Sequence, residues 1–421
     1  MGTSAYPELH VQARRVEEDL MALARMTDPQ LPYTRQAFTP YDREARQWLL
    51  AKMEQVGLEV RIDAAANIIG RRKGRRSGGP VIMLGSHIDT VRAGGRYDGM
   101  VGVIGALEVI RCLNEAGWTS QHSLEMVSFT CEEPTAFGLS PMGSRAMAGT
   151  LAAEQVLAAR GPEGNNLAES LAYVGGDAHG LGQTRRRPGE IAGFLELHIE
   201  QGPVLEREGL PIGVVTAIAA PCRGRATLVG EANHSGATMM HERHDALCGA
   251  AEVVLAVERA CSAPGVTDTV GTVGYLNVSP NMVNVIPGKV GMQVEVRSTR
   301  QDFLDMVRAQ VEQSLYAVAE RRGLEASLEW LACEQPVPIP EHMQGLIQQA
   351  CDELGIRWMP LPSRASHDAA RIASITPIGM VFVPSRAGKS HTPEEWTDFD
   401  HIARGVAVLG RALMKLDARF G

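Results

Sequence analysis

A histidine and two carboxylates follow a short apolar run near residue 85. The run, residues 80–84, is rich in β-branched and apolar side chains and flanked by glycines, which is typical of a buried strand. His87 and Asp89 come directly after it, and Asp98 lies nine residues farther on. In open α/β sheets, functional groups lie beyond the carboxyl ends of the strands. The segment therefore predicts half of a metal site, although an isolated His-x-Asp could also be a polar turn.

Two adjacent glutamates follow a second predicted strand. Glu132 and Glu133 come after residues 122–130, whose side chains alternate as in a strand. Neighbouring side chains on a strand point to opposite faces, but just beyond its end both can reach one crevice. One carboxylate could then bind a metal while the other remains free as a general base. Taken alone, the pair could also be two solvated glutamates on a loop.

Three further clusters carry histidines beside carboxylates. In the apolar run 191–199, alternation places Glu196, His198 and Glu200 on one face. Buried carboxylates are costly unless they are paired or bind a metal, so this polar face needs a function. The remaining clusters are Ser366-His367-Asp368 and Ser390-His391-Thr392-Pro393-Glu394-Glu395.

The five clusters together predict a two-metal hydrolase. Histidine and carboxylate donors without cysteine suit Zn, Mn or Co with an open coordination position. Two such ions, about 3.5–4 Å apart, can share one carboxylate and activate a bridging water. The clusters recur at the ends of predicted strands of one domain, so chance occurrence is a poor explanation for the set.

The predicted elements describe an α/β domain with a second domain inserted into it. Helices over 8–27, 41–57, 99–114 and 143–153 alternate with strands over 60–62, 67–69, 81–84, 122–130 and 191–199. This alternation predicts a largely parallel mixed sheet between helices. From residue 214 to 331 the order becomes β-α-β-β-α-β, typical of a ferredoxin-like α+β domain. The strands and helices there are 223–230, 242–262, 270–276, 289–297, 301–322 and 324–330.

After residue 334 the α/β pattern returns. It contains a helix over 341–354, a polar loop over 362–370, a strand over 376–383 and a last helix over 400–416. We therefore predict a catalytic domain of residues 1–213 and 332–421, and an inserted domain of residues 214–331.

Composition excludes several classes of protein. The chain has 421 residues, 44% of them apolar, and a net charge of −8, so a general nucleic-acid partner is not expected. Seven cysteines occur singly without a CxxC motif, which predicts neither a disulfide framework nor a thiolate zinc site. Residues 1–8 lack the basic and apolar regions of a secretory leader. No apolar run approaches the roughly 18 residues of a membrane span, so we expect a cytoplasmic protein without a membrane partner.

The motifs resemble one branch of the dinuclear metallopeptidase-like amidohydrolases, the hydantoinase/carbamoylase amidases. This branch includes N-carbamoyl-L-amino acid hydrolases, β-ureidopropionases, and allantoate and ureidoglycolate amidohydrolases. The resemblance extends from the helix near residue 41 to the last helix. It rests on GSHIDTV, GGRYDGMVGV, EEPTAFG, GSRAMAG, LELHIEQGPVLE, NHSGATMM, NMVNVIPG, EVRS, SHDA and SHTPEEW.

The resemblance implies two divalent metal ions (Zn, Mn or Co) and a role for each neighbouring residue. Its implied ligands are His87 and His198 for one ion, Glu133 and His391 for the other, and Asp98 between them. Asp89 would orient His87, as carboxylates often do for metal-bound histidines. Glu132 would be the general base, and would later return its proton to the leaving nitrogen.

The resemblance also implies residues that contact the substrate, a small ureido or N-carbamoyl acid. His234 would polarise the scissile carbonyl, and Asn284 and Arg297 would hold the substrate carboxylate. Gln201 and His367 would line the pocket from the catalytic domain. Because His234, Asn284 and Arg297 belong to the inserted domain, this domain would act as a lid and as the contact of a homodimer, with His234 often supplied by the partner subunit.

Some residues depart from the family pattern or have no implied role in the site. Arg364 and Ser366 replace glycines beside the pocket, which puts main-chain contacts to the substrate carboxylate in doubt. Thr238-Met239-Met240 lacks the proline common in the family. Three histidines match no ligand position of the family and are interpreted as surface or structural residues: His241, His244 and His401. Arg243 and Asp245 are interpreted as a helix start.

The sequence therefore predicts hydrolysis of the C–N bond of an N-carbamoyl-L-amino acid or related ureido acid, with release of ammonia. An alternative is an allantoate or ureidoglycolate amidohydrolase, which the Glu-Glu-Pro-Thr-x-Phe-Gly segment favours modestly. A second alternative is an aminoacylase or dipeptidase of the same superfamily. A non-catalytic binding protein on this scaffold is disfavoured, because it would have no use for an unliganded base beside two metals.

Overall fold

The computed structural model describes residues 6–76, 78–263 and 265–419, and the chain divides into two compact units. The first unit extends to Thr216 and resumes over Ile339–Leu361 and from His367 onward. The second comprises Ala217–Pro338 together with Pro362–Ser366, a short segment that the sequence pattern places in the catalytic domain. Residues 1–5, on which part of the leader prediction rests, lie outside the described residues.

The first unit alternates helices and strands. Its helices are α1 (Ala13–Arg25), α2 (Pro40–Gln55), α3 (Met100–Glu115), α4 (Gly143–Ala148), α5 (Ala153–Ala158), α6 (Leu167–Tyr173), α7 (Val204–Glu208), α10 (Glu341–Glu353), α11 (Asp368–Ile372) and α12 (Phe399–Arg419). Its strands are β1 (Glu59–Ile62), β2 (Ile68–Arg72), β3 (Val81–His87), β4 (Leu124–Phe129), β5 (Ile191–Ile199) and β13 (Ile378–Val383). Two more strands, β6 (Ile212–Ile218) and β12 (Trp358–Ser363), cross the limits of this unit.

These strands form one mixed sheet in the order β1-β2-β4-β3-β5-β13-β6, with β12 also paired to β6. The four central strands, β4, β3, β5 and β13, are parallel to one another. The flanking pairs β1–β2, β2–β4 and β13–β6 are antiparallel. The predicted α/β architecture with a largely parallel mixed sheet is therefore confirmed.

The central strands are apolar along most of their length because helices cover the sheet. Every residue of β3, β5 and β13 is buried, as expected for parallel strands covered on both faces. Since the four strands run in one direction, their carboxyl ends meet at one edge of the sheet. Residues that end or follow these strands must therefore come together there.

Strand β3 is longer than its apolar run predicts and includes His87. The extension depends on Gly85, whose φ of +151° and lack of a side chain allow close contact with β4. A Cβ atom at this position would lie 1.9 Å from the carbonyl oxygen of Val127. His87 is thus held by the sheet and does not lie on a loop beyond it.

The polar segment 362–370 also differs from its prediction as a loop. Strand β12 ends at Ser363, and α11 begins at Asp368. His367 is the residue that immediately precedes this short helix, so its position is set by the start of the helix.

The second unit has the element order β-α-β-β-α-β. Its elements are β7 (Ala220–Val229), α8 (Ala246–Cys261), β8 (Thr269–Ser279), β9 (Lys289–Ser298), α9 (Gln301–Arg322) and β10 (Glu325–Cys333), followed by the short β11 (Val337–Pro338). The antiparallel sheet has the order β10-β7-β9-β8, and apolar side chains of α8 and α9 pack on it. Asp245 caps α8 by accepting hydrogen bonds from the N–H groups of Leu247 and Cys248, so its interpretation as a helix start is confirmed.

One pair of cysteines departs from the prediction of no disulfide framework. Cys222 on β7 and Cys333 on β10 are disulfide-bonded, and they are direct partners in the register of the two strands. Their sequence separation of 111 residues gives no local signal of this pairing. Among the described residues, no helix is both long and apolar enough to cross a membrane.

Candidate metal centre

Three donors from the central strands converge at the carboxyl edge of the sheet. His87 ends β3, His198 is near the end of β5, and Asp98 precedes α3. The Asp98 Oδ1 atom lies 3.1 Å from His198 Nε2 and 3.7 Å from His87 Nε2. All three donor atoms lie within 4.8 Å of one another, which is close enough for one ion to contact them all.

A second group of donors uses the other oxygen of Asp98. Asp98 Oδ2 lies 3.0 Å from His391 Nε2, which in turn lies 3.3 Å from Glu133 Oε1. Asp98 therefore belongs to both groups, with one oxygen facing each. This is the arrangement of a carboxylate that bridges two cations.

The donor chemistry of both groups fits Zn, Mn or Co. One group has two imidazoles and a carboxylate, the other has one imidazole and two carboxylates, and neither includes a thiolate. Three protein donors for each ion leave coordination positions for water or substrate. The five residues brought together are those that the sequence resemblance assigns as ligands.

Hydrogen bonds set the tautomers of the two buried histidines. The Nδ1 atoms of His87 and His198 each lie 3.0 Å from a main-chain carbonyl oxygen, that of Asp89 and that of Ile199, respectively. Because a carbonyl only accepts, each Nδ1 must carry the proton. Each Nε2 is therefore the ring nitrogen available to a metal ion, and that of His198 faces Asp98 Oδ1 at 3.1 Å.

The carboxylate of Asp89 does not make the contact that the family resemblance implies. Its Oδ1 atom is 3.7 Å from His87 Nδ1, beyond hydrogen-bond distance. It accepts the main-chain N–H groups of Glu132 at 3.2 Å and Glu133 at 3.0 Å. His87 is thus oriented by the carbonyl of Asp89, and the carboxylate holds the loop that carries the two glutamates.

Three side-chain positions in the centre require a left-handed backbone. Cys131, Gln201 and His391 have φ values of 53°, 56° and 56°. Such conformations are uncommon for residues with a side chain and accumulate at functional sites. Cys131 and Gln201 each lie two residues after a central strand, β4 and β5 respectively, and His391 lies eight residues after the end of β13. At Gly99, with φ of 68°, an added Cβ atom would lie 2.4 Å from the ring of His87.

Without metal ions, protons balance the charge of the centre. Hydrogen bonds to Asp98 and Glu133 raise the pKa of His391 to about 11. Burial lowers the pKa of His198, but the hydrogen bond to Asp98 and the negative charges of Asp98 and Glu196 together outweigh it and raise that pKa to about 9. Burial raises the pKa of Asp98, yet the bonds from both histidines bring it well below its usual value. Metal ions must displace these protons, so metal affinity should decrease as the pH falls.

Glu132 lies beside the donors without belonging to either group. Its Oε2 atom is 3.9 Å from His87 Nε2, whereas Glu133, the next residue, contacts His391. Burial, followed by the charge of Glu133, raises the pKa of Glu132 well above its usual value. A carboxylate with raised proton affinity beside two cation sites has the properties of a general base.

Three polar residues contact the side chain or the main chain of Asp98: Gln201, Ser390 and Glu395. Gln201 Nε2 donates to Asp98 Oδ2 at 2.7 Å. Ser390 Oγ lies 3.1 Å from the same oxygen and 2.9 Å from Glu395 Oε2, and its one hydroxyl proton can be donated to either carboxylate. Glu395 Oε1 accepts the N–H groups of Tyr97 at 2.8 Å and Asp98 at 3.2 Å. No family motif assigns Glu395 a role, and its place in the polar segment after His391 is the only sequence signal for it.

His198 also belongs to a third group of polar side chains. Glu196, His198 and His367 offer donor atoms within 4.8 Å of one another, and the His367 ring lies 4.5 Å from the His198 ring. Ser86 Oγ donates to Glu196 Oε1 at 2.7 Å. Burial lowers the pKa of His367 well below its usual value, which leaves this imidazole neutral.

Three predicted substrate residues belong to the second unit. His234 and Asn284 are exposed and lie on adjoining segments, where the N–H of Ser235 donates to the carbonyl of Asn284 at 3.1 Å. Arg297 is half-buried on β9, and its Nε donates to Glu295 at 2.7 Å. Within the described residues, the histidines that the sequence leaves without a role, His241, His244 and His401, belong to no group of potential metal donors.

Comparisons with known proteins give a consistent result. The model of peptidase family M20/M25/M40 matches residues 83–415. An N-carbamoyl-L-amino acid amidohydrolase of Geobacillus stearothermophilus is 39% identical over 407 residues, covering 96% of this chain and 99% of that protein. A ureidoglycolate hydrolase of Arabidopsis thaliana is 38% identical, covering 97% of this chain and 87% of that protein. A solved amidase of the hydantoinase/carbamoylase family from Burkholderia multivorans matches with a TM-score of 0.89 at 34% identity, covering 97% of this chain and 99% of that chain.

Proposed function

The chain belongs to peptidase family M20/M25/M40, and we propose that within it the protein is a dinuclear-metal amidohydrolase. It cleaves the C–N bond of an N-carbamoyl-L-amino acid or a related ureido acid and releases ammonia. The observation that carries the proposal is that two groups of metal donors share Asp98, one through each oxygen, beside the free carboxylate of Glu132.

Each residue of the centre has a defined task in this reaction. Two divalent ions held by His87, His198, Asp98, Glu133 and His391 would activate a water molecule and polarise the scissile carbonyl. Glu132 accepts a proton from the attacking water and returns it to the leaving nitrogen. The Nδ1 hydrogen bonds of His87 and His198 keep each Nε2 free for a metal. Gln201 keeps Asp98 in place through its hydrogen bond to Oδ2, an oxygen that Ser390 Oγ also contacts.

We propose that the second unit is a ferredoxin-like lid that supplies substrate contacts. His234 polarises the carbonyl and stabilises its developing charge. Asn284 and Arg297 bind the substrate carboxylate, for which the planar guanidinium is suited. In the first unit, neutral His367 lines the substrate pocket. Gln201 lines the same pocket and also donates a hydrogen bond to Asp98.

Replacing Arg297 by alanine should mainly raise KM for carboxylate substrates. A hydrogen bond to a charged group contributes about 1.5–3 kcal/mol, which corresponds to an increase of about 10- to 100-fold. KM is compared for an N-carbamoyl-L-amino acid and its carboxamide derivative, and only the acid should respond. Arg300→Ala is the matched control, because Arg300 is exposed and pairs with Asp302 on the same unit. An unchanged KM for the acid means that another group binds the anion.

The proposed function is tested by measuring ammonia release after metal removal and reloading. The chelated protein is loaded with Mn, Co or Zn and given N-carbamoyl-L-amino acids, their D-isomers, N-carbamoyl-β-alanine, allantoate and ureidoglycolate. N-acyl-L-amino acids and dipeptides are given in parallel, with release of the free amino acid measured in place of ammonia. We expect turnover of at least one L-amino acid derivative, its loss on chelation and its recovery with metal. Full activity of metal-free protein overturns the mechanism, and hydrolysis of only N-acyl amino acids or dipeptides identifies an aminoacylase or dipeptidase. Binding without turnover of any compound identifies a non-catalytic binding protein.

A ureide-pathway activity is the second candidate. The segment Glu132-Glu133-Pro134-Thr135-x-Phe137-Gly138 resembles that of ureidoglycolate amidohydrolases. The chain is also 38% identical to a plant ureidoglycolate hydrolase, nearly the same as its 39% identity to the N-carbamoyl-L-amino acid amidohydrolase. Preference for allantoate or ureidoglycolate over every N-carbamoyl-L-amino acid in the same screen would favour this candidate.

We propose that the protein forms a homodimer through strand β8. This strand ends the sheet of the second unit, so one side of its backbone is open to pairing. It exposes Val270, Tyr275 and Leu276 at 48%, 51% and 44%, respectively. Strand β10, at the opposite edge, exposes only Leu331 among the large apolar residues described, so β8 is the better interface.

Tyr275→Lys should raise the dissociation constant of this dimer by at least about 100-fold. Two-fold symmetry brings both new lysine charges to the same interface, where they repel each other. The mass in solution, measured by light scattering across a dilution series, should change from twice 45.4 kDa towards the single-chain mass. Leu331→Lys on β10 is the matched control and should leave the dimer intact. A wild-type protein that is monomeric at every concentration contradicts the proposal, and dissociation by Leu331→Lys alone places the interface at the other edge.

A further inference from the structure

Two buried arginines lie behind the loop that carries Glu132 and Glu133, and the metal centre does not use them. Arg35 is 1% exposed and Arg46 is 3% exposed. Neither forms part of a metal-donor group among the described residues. Burying a guanidinium group is costly unless its charge and its donors are matched. Their partners therefore indicate what the charges stabilise.

Arg46, on helix α2, contacts the residue at the start of the loop. Its Nη1 atom donates to Thr130 Oγ1 at 3.3 Å, and its Nη2 atom donates to the carbonyl of Ala66. The main chain of Thr130 is also fixed, because its N–H donates to Asn67 Oδ1 at 3.0 Å and its carbonyl accepts the N–H of Gly143 at 2.8 Å. Thr130 thus provides a rigid origin from which the loop departs.

Asp89 holds the same loop from its other side. Both of its oxygens accept main-chain N–H groups, one from Glu132 and one from Glu133. Each oxygen of the carboxyl group thus holds one main-chain N–H of the loop. Arg35 secures the neighbouring main chain, since its Nε donates to the carbonyl of Ile88 at 2.8 Å.

Opposite charges lie close to both arginines. Burial lowers the pKa values of Arg35 and Arg46, and the charges of Asp42 and Asp89 oppose that lowering at both residues. We call these four residues, Arg35, Asp42, Arg46 and Asp89, the base-loop cluster. Between its contacts lies Cys131, whose φ of 53° is the uncommon conformation that turns the chain towards the metal centre. A strained turn of this kind persists only where its surroundings fix it.

We propose that Arg46 and Asp89 are positioning residues for the general base: together they fix the backbone on both sides of Cys131 and so set the place of the Glu132 carboxylate. In this role Asp89 acts on Glu132 and Glu133 through their N–H groups, and not on the ring of His87. The inference rests on the proposed function, since it concerns the base of that reaction. Misplacing a catalytic group by about 1 Å can lower a rate about 100-fold, so indirect contacts of this kind matter.

The proposal is tested most directly by replacing Thr130, because this substitution removes one hydrogen bond and leaves every buried charge in place. Thr130→Val keeps the shape of the side chain but leaves Arg46 Nη1 without this acceptor, and kcat should fall about 10-fold with KM within about twofold and both metals retained. Thr130→Ser restores the hydroxyl and should recover most of kcat. Thr376→Val is the matched control, since Thr376 is a buried threonine whose Oγ1 donates to Ile191 far from the loop. It should lower stability without changing kcat.

Asp89→Asn tests whether this carboxylate acts on the main chain of Glu132 and Glu133 or on the ring of His87. An amide cannot accept both N–H groups, so kcat should fall about 100-fold while metal analysis still finds the ion at His87 and His198. Selective loss of that ion would show that Asp89 serves His87 and would overturn this part of the proposal.

Hydrogen exchange gives a readout that does not need a substrate. Protection of the Glu132 and Glu133 amides should fall at least about tenfold in Thr130→Val and Asp89→Asn, and should be unchanged in Thr376→Val. If wild-type protein hydrolyses none of the compounds above, the proposed function fails while this measurement still decides whether the cluster orders the loop. Unchanged protection together with unchanged kcat overturns the positioning role.

Discussion

Replacing Glu132 by glutamine is expected to lower kcat by about 10³-fold while both metal ions stay bound. Glutamine has the shape of glutamate but cannot accept a proton, and general bases contribute about 10²- to 10⁴-fold. Glu132 lies 3.9 Å from His87 Nε2 but belongs to neither donor group, so metal binding does not need its charge. The measurement is kcat on the preferred substrate, together with elemental analysis of the same sample.

Two neighbouring glutamates provide the controls for this result. Glu133→Gln should lose the ion shared with His391, because Glu133 Oε1 lies 3.3 Å from His391 Nε2. Glu394→Gln changes an exposed side chain near His391 and should leave both quantities unchanged. A Glu132→Gln variant near the wild-type rate removes Glu132 as the base, and loss of metal from it means that the roles of the two adjacent carboxylates are reversed.

The central sheet could be predicted because its sequence signals are local. Residues 80–84, before His87, are continuously apolar, and residues 191–199, before Gln201, are apolar except for Glu196 and His198; a parallel strand covered on both faces favours this composition. The end of β3 could not be predicted in the same way. It depends on the close contact of Gly85 with Val127, which belongs to a strand some forty residues farther along the chain.

The region after α4 was predicted poorly because its helices are short. The sequence favours one helix over 143–153, whereas α4 ends at Ala148 and α5 begins at Ala153. The chain also forms α6 at Leu167–Tyr173, which has fewer than two full turns. Helices of this length have little periodicity and are stabilised mainly by tertiary packing.

The metal-donor residues of the candidate site could be predicted from the sequence. The residues that hydrogen-bond to the loops carrying these donors could not. His87, Glu133 and His198 end or follow apolar strands, and this spacing is visible in one dimension. Arg46 donates to a residue 84 positions away, and no local pattern indicates such a contact. The carboxylate of Asp89 illustrates the same limit, because the family resemblance gives its neighbour but not the atoms that it contacts.

Replacing Asp98 by asparagine is expected to release both ions and to lower kcat by at least about 10³-fold. A metal ion contributes several kcal/mol to the stabilisation of a charged transition state, and the loss of that free energy corresponds to a decrease of about 10³-fold in rate. Asp98 Oδ1 faces His198 and Oδ2 faces His391, so an amide, with one oxygen, can serve at most one of the two sites. His391→Ala removes a donor from one group only and should leave the ion at His87 and His198. Asp305→Asn, an exposed aspartate of the second unit, is the neutral control.

A titration of the metal-free protein tests the same bridge without any ion. In the wild type, the hydrogen bond that His391 donates to Asp98 is the largest cause that raises the pKa of His391 to about 11, so this imidazole is protonated at pH 7. In Asp98→Asn that bond to an anion is lost, and the pKa of His391 should fall towards the usual range of histidine, as should that of His198. Both shifts can be followed by NMR of the ring resonances. If only one histidine responds, Asp98 contacts a single site; if both respond and both ions are nevertheless retained, the carboxylate organises the histidines but does not bridge the metals.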